Sequence, residues 1–404
     1  MDSMTRVTKM GYKKTLQHPV IARLSLIQLI SYFGTWFSQV AIFSMLVAYG
    51  ADAITIAFTA AMAMLPAVVL APMIGVIIDR IDFKKLMLGL LLIEIAMTLG
   101  FLLVNSLDYV WLLMILIFIR SAAASLLFSA EMALFPKIVK DEMLKNTNEI
   151  HSIIWSFTYA FGMAVGGVVT YYLGYHTAFI IDAVLYSLAV FILLGLKLTH
   201  ERTIHTDSNW KMFTDGFHYI RSKRKILHLI LLHAAIGLTS FDALITLLAD
   251  FQYKELIAVP LAIGLMSATR AVGLMIGPFF IGKIITKENL HYFFLFQGLA
   301  IILWSQLQEH YYIGLIGLFV TGFFITTLWS YTYLLIQEET EAQYMGRVIS
   351  YNDMFFMLSN VCTALFIGYA SKADISLHVI TFILGIGFIL TALYYLWFKK
   401  HYTL

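Results

Sequence analysis

Gly75-Val76-Ile77-Ile78-Asp79-Arg80-Ile81-Asp82-Phe83-Lys84-Lys85 is a short charged stretch set between two apolar runs, each long enough to cross a bilayer. Its four basic and acidic side chains before Lys85 fall within a few residues, as expected where a chain leaves hydrocarbon, turns in water and returns. The composition agrees, since 404 residues that are 60% hydrophobic and 13% charged carry more apolar surface than one soluble core can bury. Lipid is therefore the expected solvent and the bilayer the expected partner. The single cysteine, Cys362, lies in an apolar run, which leaves no intrachain disulfide or thiolate metal cage. The net charge of +3 gives no nucleic-acid footprint.

A hydrocarbon core of about 30 Å takes about 20 helical residues at about 1.5 Å each. Working outward from the hairpin, this ruler marks twelve spans, at 22–49, 54–78, 85–105, 109–134, 150–173, 177–198, 226–248, 261–285, 292–307, 312–336, 348–370 and 378–398. The first contains Gln28, Ser31, Thr35, Ser38 and Gln39 with no small-residue cleavage site after it, so it reads as a retained helix rather than a leader. Of the 27 lysines and arginines, only Lys254 and Lys372 fall on the side opposite the N-terminus, while Arg120 and Arg270 fall within spans. That asymmetry predicts that both termini are cytoplasmic. The long polar stretch 199–225 divides the chain, giving a tail 1–21, a six-helix half 22–198, a middle loop 199–225, a second six-helix half 226–398 and a tail 399–404. A faint repeat supports the division: Arg80 and Lys84 recur as Lys283 and Lys287 at a shift of 203 residues. Two six-helix halves around a midplane cavity form an architecture in which rocking opens the cavity to either side in turn.

Taken together, these features resemble the major facilitator superfamily, an all-α membrane fold of twelve helices in two pseudo-symmetric halves. Over about 340 residues the order of motifs is similar to the bacterial branch containing the enterobactin exporter and macrolide efflux pumps. Gly75 to Lys85 resembles the superfamily's loop Gly-x-x-x-Asp-Arg-x-x-x-Arg/Lys-Arg/Lys. His18-Pro19, Ile30-Ser31 and Gly34-x-Trp36 resemble the branch's first helix; Phe135-Pro136, Asn148, Gly166-Gly167, Gly174 and Phe179 to Ala183 resemble its run from helix four to helix six. Asp215-Gly216-Phe217-x-Tyr219-Ile220 resembles the end of its middle loop, and Gln337 with Gly346-Arg347-Val348 the start of its helix eleven. Thr35 departs from the pattern where an acidic residue is frequent, and Gly162-x-x-x-Gly166-Gly167 lacks the proline of the antiporter motif. The resemblance implies a conformational latch of Gly75, Asp79, Arg80, Lys84 and Lys85, with Asp79 meeting the positive end of helix eleven near Arg347 when the cavity faces outward. Glu131, near the inner end of helix four, is the expected partner of Arg80. The competing reading of these cations is that they only set topology.

A charge inside hydrocarbon costs at least about 2.5 kcal/mol and persists mainly where it faces a cavity or a partner. Glu94 and Arg120 fall at nearly the same depth and are expected to pair; a permanent structural ion pair is the alternative to a coupling role. Asp242 and Arg270 form a weaker expected pair. His233 is a possible proton carrier, although a lone histidine among apolar neighbours is more often a hydrogen-bonded filler. His228 lies five residues away on another face, so no metal-binding pair is expected. On the first helix Gln28, Tyr32, Thr35, Trp36 and Gln39 form a polar and aromatic face suited to lining a cavity, against the alternative of ordinary helix packing.

No nucleotide-binding loop, kinase motif or zinc-protease helix occurs. The expected protein is therefore a secondary transporter rather than an enzyme, monomeric and without cofactor, in the bacterial plasma membrane. The favoured expectation is proton-coupled export of a small amphipathic molecule, drug-like or siderophore. A lysophospholipid flippase or divalent-metal exporter of the same fold stands as an alternative, as does a non-transporting receptor or membrane enzyme.

Overall fold

The computed structural model describes residues 12–71, 73–196 and 209–402, and all regular structure among them is helical. Helix starts follow local chemistry. α1 (Pro19–Ala48) opens with proline at its first position, where a missing N–H costs nothing, and the His18 ring accepts from the Ile21 N–H. α2 (Ala53–Leu70) is capped by Asp52, which accepts from the Thr55 N–H at 2.9 Å. In the charged hairpin, Asp82 caps α3 (Phe83–Gly100) by accepting from the Lys85 N–H at 3.0 Å. α4 spans Val110–Ile138.

The next helical stretch, Asp141–Leu194, is far too long for one crossing, and Gly174 breaks it with φ 80° and ψ 161°. A side chain is strained at such a φ, so glycine marks the corner between α5 (141–173) and α6 (175–194). The second half contains α7 (Arg224–Tyr253), α8 (Val259–Ile281), α9 (Leu290–Leu307), α10 (Tyr311–Glu339), α11 (Met345–Lys372) and α12 (Leu377–His401). Among the described residues, eleven stretches are long and apolar enough to cross a membrane, and the corner at Gly174 divides one of them.

Three expected boundaries change. The second span, read as continuous over 54–78, ends at Leu70 and resumes as a short helix, Ile74–Arg80. The stretch 199–225, read as a loop, contains the helix Asn209–Ser222; the predicted junction at 198–199 lies outside the described residues. α7 is not one continuous helix: Arg224–Ala234 tightens into a 3-10 turn at Ala235–Thr239, the chain leaves helical geometry at Ser240, and helix resumes at Asp242–Leu248.

α1 and α7 are the most buried of the crossings. The halves meet through α2 against α11 and α5 against α8. These contacts concentrate at the end of the bundle away from the chain termini. There Gly167 lies against Pro260 and Gly264, and a Cβ at Gly167 would come within 2.6 Å of the Pro260 carbonyl oxygen. A Cβ at Gly368 would come within 2.3 Å of Ala57 Cβ and 3.0 Å of the Ala53 carbonyl oxygen. The cores divide in the same way. One apolar cluster runs through the second half and joins the far portions of α1, α2 and α5, whereas the first half forms a separate core at the termini end from residues such as Ile21, Leu91, Leu127 and Leu193. The halves are fused at the far end and separately cored at the termini end.

Candidate functional site

Four helices of the first half bring ionisable and hydroxyl groups to one buried point. Arg120 on α4 donates from Nη2 to Asp182 Oδ2 on α6 at 2.7 Å, and the same carboxylate oxygen accepts from Ser38 Oγ on α1. The guanidinium lies over the Phe101 and Tyr186 rings at 5.7 and 5.6 Å. Tyr186, one turn after Asp182, shares a hydrogen bond of 2.7 Å with Thr35 Oγ1 and also reaches the Glu94 carboxylate on α3. Gly34 permits this convergence, because a Cβ there would collide with Asp182 Oδ1.

The expected Glu94 to Arg120 ion pair is therefore corrected: Asp182 holds the arginine. Glu94, 1% exposed, feels its charge without bonding to it. The span-depth argument selected Glu94 and Arg120 but passed over Asp182, although an acid inside a span was the signal in both cases. Glu94 Oε1, Asp182 Oδ1 and Arg120 Nε lack hydrogen-bond partners. Glu94, Arg120, Thr35 and Gln39 line a cavity of about 60 Å³, with Thr59 and Ser121. Drug-sized ligands need roughly 300 Å³ or more, so this volume suits water or a small ion.

Glu131 is corrected as well. It is completely buried, and its Oε2 accepts from Tyr32 Oη at 2.7 Å and Gln28 Nε2 at 3.1 Å. It forms no ion pair with Arg80, whose side chain is exposed. Gln28 and Tyr32 are thus turned to a carboxylate rather than to an open cavity. Of the remaining first-helix residues, Thr35 and Gln39 do line the cavity, and Trp36 meets Trp155 of α5 edge-on and Tyr159 at a tilt, at centroid distances of 5.7 and 4.5 Å.

In the second half, Arg270 Nη2 donates to the Thr239 carbonyl oxygen at 2.8 Å, at the break in α7, instead of forming the expected ion pair with Asp242. A helix break inside a membrane frees carbonyls that need donors, and the arginine supplies one. Both residues reach across to the first half: Asp242 to the Gln39 amide and Arg270 to Tyr159. His233 is fully buried, bonded through Nδ1 to Thr332 Oγ1 at 2.8 Å and enclosed by Trp329, Tyr333 and Phe356.

At the termini end, Gly75 lies in the short helix Ile74–Arg80, and the Asp79 side chain lies outside the described residues. Lys84 Nζ donates to the Leu194 and Leu196 carbonyl oxygens at 2.8 and 2.7 Å, and Arg23 to that of Gly195 at 2.6 Å, so two cations close the C-terminus of α6. The Lys85 side chain is exposed. Arg347 lies over the Tyr344 ring at 5.3 Å and against Gly216 of the connecting helix. The repeat counterpart of Lys84 behaves differently: Lys287 pairs with Glu338 at 2.9 Å, next to the Lys225 to Glu339 and Lys223 to Glu341 pairs at 2.7 and 3.2 Å. The Glu338 carboxylate raises the Lys287 ammonium above the ordinary lysine range.

A sequence model of the Major Facilitator Superfamily matches residues 24–287. Macrolide efflux protein A of Streptococcus pyogenes is 26% identical over 340 residues, covering 80% of this chain and 82% of that protein. Among solved structures, the nucleoside transporter NupG superposes with a TM-score of 0.71 at 15% identity, over 97% of this chain and 100% of that one. A bacterial homolog of the human lysosomal transporter Spinster, in an inward-facing and unoccupied conformation, gives a TM-score of 0.72 at 13% identity over 96% of each chain. At these identities the structural likeness speaks to fold alone.

Proposed function

We propose, from the premise that this chain belongs to the Major Facilitator Superfamily and is a membrane transporter, that it exports a small amphipathic organic molecule in exchange for protons. The observation that carries this reading is a charge imbalance. One guanidinium, Arg120, stands against two buried carboxylates, Asp182 and Glu94, and Asp182 takes the direct bond. One proton on the cluster makes it neutral, and an uncompensated charge at that depth is costly. Glu94, with a free oxygen on the cavity wall, is the group placed to accept and release it.

The lysine and arginine asymmetry supports a cytoplasmic termini end, so the conformation described here faces inward, sealed outside by α2 with α11 and α5 with α8. Substrate then enters from the cytoplasm beside Trp36, Trp155 and Tyr159, whose rings suit an amphipathic or aromatic molecule. Rocking breaks the glycine contacts outside and brings the hairpin latch toward the start of α11. The cross-half contacts of Gln39 with Asp242 and Tyr159 with Arg270 lie between the two motions and link substrate occupancy to them. Export is the direction that the macrolide efflux relative supports.

The test is substrate-triggered proton movement in proteoliposomes under an imposed pH gradient, with macrolides, cationic dyes and catecholate siderophores as separate trials. Proton flux with one class supports antiport and identifies the substrate class. A folded protein that moves no protons with any compound overturns the coupling and turns attention to lysophospholipid or divalent-metal cargo.

A further inference from the structure

The orphaned oxygen of Glu131 has no use in the mechanism above. Its carboxyl group is completely buried, its Oε2 is held by two neutral donors, and its Oε1 has no partner. The groups acting on it are Tyr32 and Gln28 from α1 and Glu94 from α3, with no lysine or arginine among them. On α5, His151 packs edge-on against the Tyr32 ring at 5.8 Å; it is also buried, and neither ring nitrogen has a partner. Among the described residues no lysine or arginine bonds to Glu131, and a proton is a cation small enough to reach it.

We infer that Glu131 is a second protonation site, distinct from the Glu94, Arg120 and Asp182 cluster, and that each transport cycle moves two protons. The inference rests on the proton-coupled reading. Eleven residues separate Arg120 from Glu131 on α4, which sets the second site about 16 Å toward the termini end. α1 connects the two sites along one face: Gln28 and Tyr32 bond to Glu131, and Thr35, at the next turn, bonds to Tyr186, which reaches Glu94. The polar stripe of the first helix is then a path between two acids. Binding a proton at Glu131 forms an O–H bond on the carboxylate; releasing it restores the anion held by Tyr32 and Gln28, so the step balances with the proton alone.

The experiment measures proton-to-substrate stoichiometry in proteoliposomes, from the combination of pH gradient and voltage at which net flux reverses, using the substrate class that drives proton flux. The wild-type protein should give two protons per substrate, and Glu131→Gln and Glu94→Gln one each. Exchange of substrate down its own gradient reports folding. A wild-type count of one, an unchanged count in Glu131→Gln, or a count of zero in Glu94→Gln overturns the second site while leaving proton coupling intact. A wild-type count of zero removes the coupled reading itself. Should Glu131→Gln fail to fold, the wild-type and Glu94→Gln counts decide the matter.

Discussion

Asp182 is the residue on which the buried charge balance turns. Removing its charge in Asp182→Asn leaves the Arg120 guanidinium without its partner, at a cost of about 3–5 kcal/mol. Thermal unfolding in detergent should show that loss, and the paired change Arg120→Met with Asp182→Leu should recover much of it, because an apolar pair carries no desolvation penalty. Glu94→Gln should behave differently, with a stability change below about 1 kcal/mol and a lost proton, since its free oxygen is bonded to nothing. The residue at the equivalent position of the second half is Gln297, fully buried and bonded to the Thr321 carbonyl oxygen at 3.1 Å. The fold already accommodates an amide there. Sequence reading found Glu94 and Arg120 because a charge in an apolar run is conspicuous; it assigned the wrong partner because depth along a helix says nothing about which face a side chain takes.

At the scale of elements, Lys84 has a role that neither topology nor latching required. Two carbonyl oxygens at the end of α6 accept from its ammonium, and Lys84→Ala should weaken that terminus by about 0.5–1 kcal/mol. Faster amide hydrogen exchange confined to residues 190–196 would register the change; protection equal to wild type would contradict it. The close approach of α5 and α8 makes a second prediction. Gly264→Leu cannot keep its contact with Gly167, so the far end should be held apart and transport should fall more than tenfold. A cysteine introduced at Ala57 would then be labelled by a membrane-impermeant reagent more readily than in the Gly264 background. The break in α7 left only Gly237 and Ser240 as local signs, since its apolar run is otherwise unbroken. Arg270 settles it by supplying the donor that a broken helix needs.

Across the whole molecule, the two halves share a frame but not a chemistry. A shift of 203 residues carries Glu94 to Gln297, Asp182 to Gly385 and Arg120 to Phe323, so the ionic cluster exists in one half only. The same shift carries Gln39 to Asp242, and these two equivalent positions meet each other across the halves. The separation of the cores at the termini end is the arrangement that rocking would close. Spin labels at Lys85→Cys and Gln343→Cys, both exposed and on opposite halves, should report a long distance that shortens when substrate and an inward proton gradient are supplied. A distance that never changes would count against rocking.

Hydropathy, turn chemistry and basic asymmetry are local and additive along a chain, so the membrane-spanning helices, the family resemblance and the presence of costly charges in lipid were legible in the residues alone. That Asp182 rather than Glu94 holds Arg120, that Gln28 and Tyr32 serve Glu131, and that Arg270 mends α7 came from the packed helices. Those outcomes depend on the rotation of each helix about its axis and on close approaches such as Gly34 beside Asp182, which packing among neighbouring helices sets.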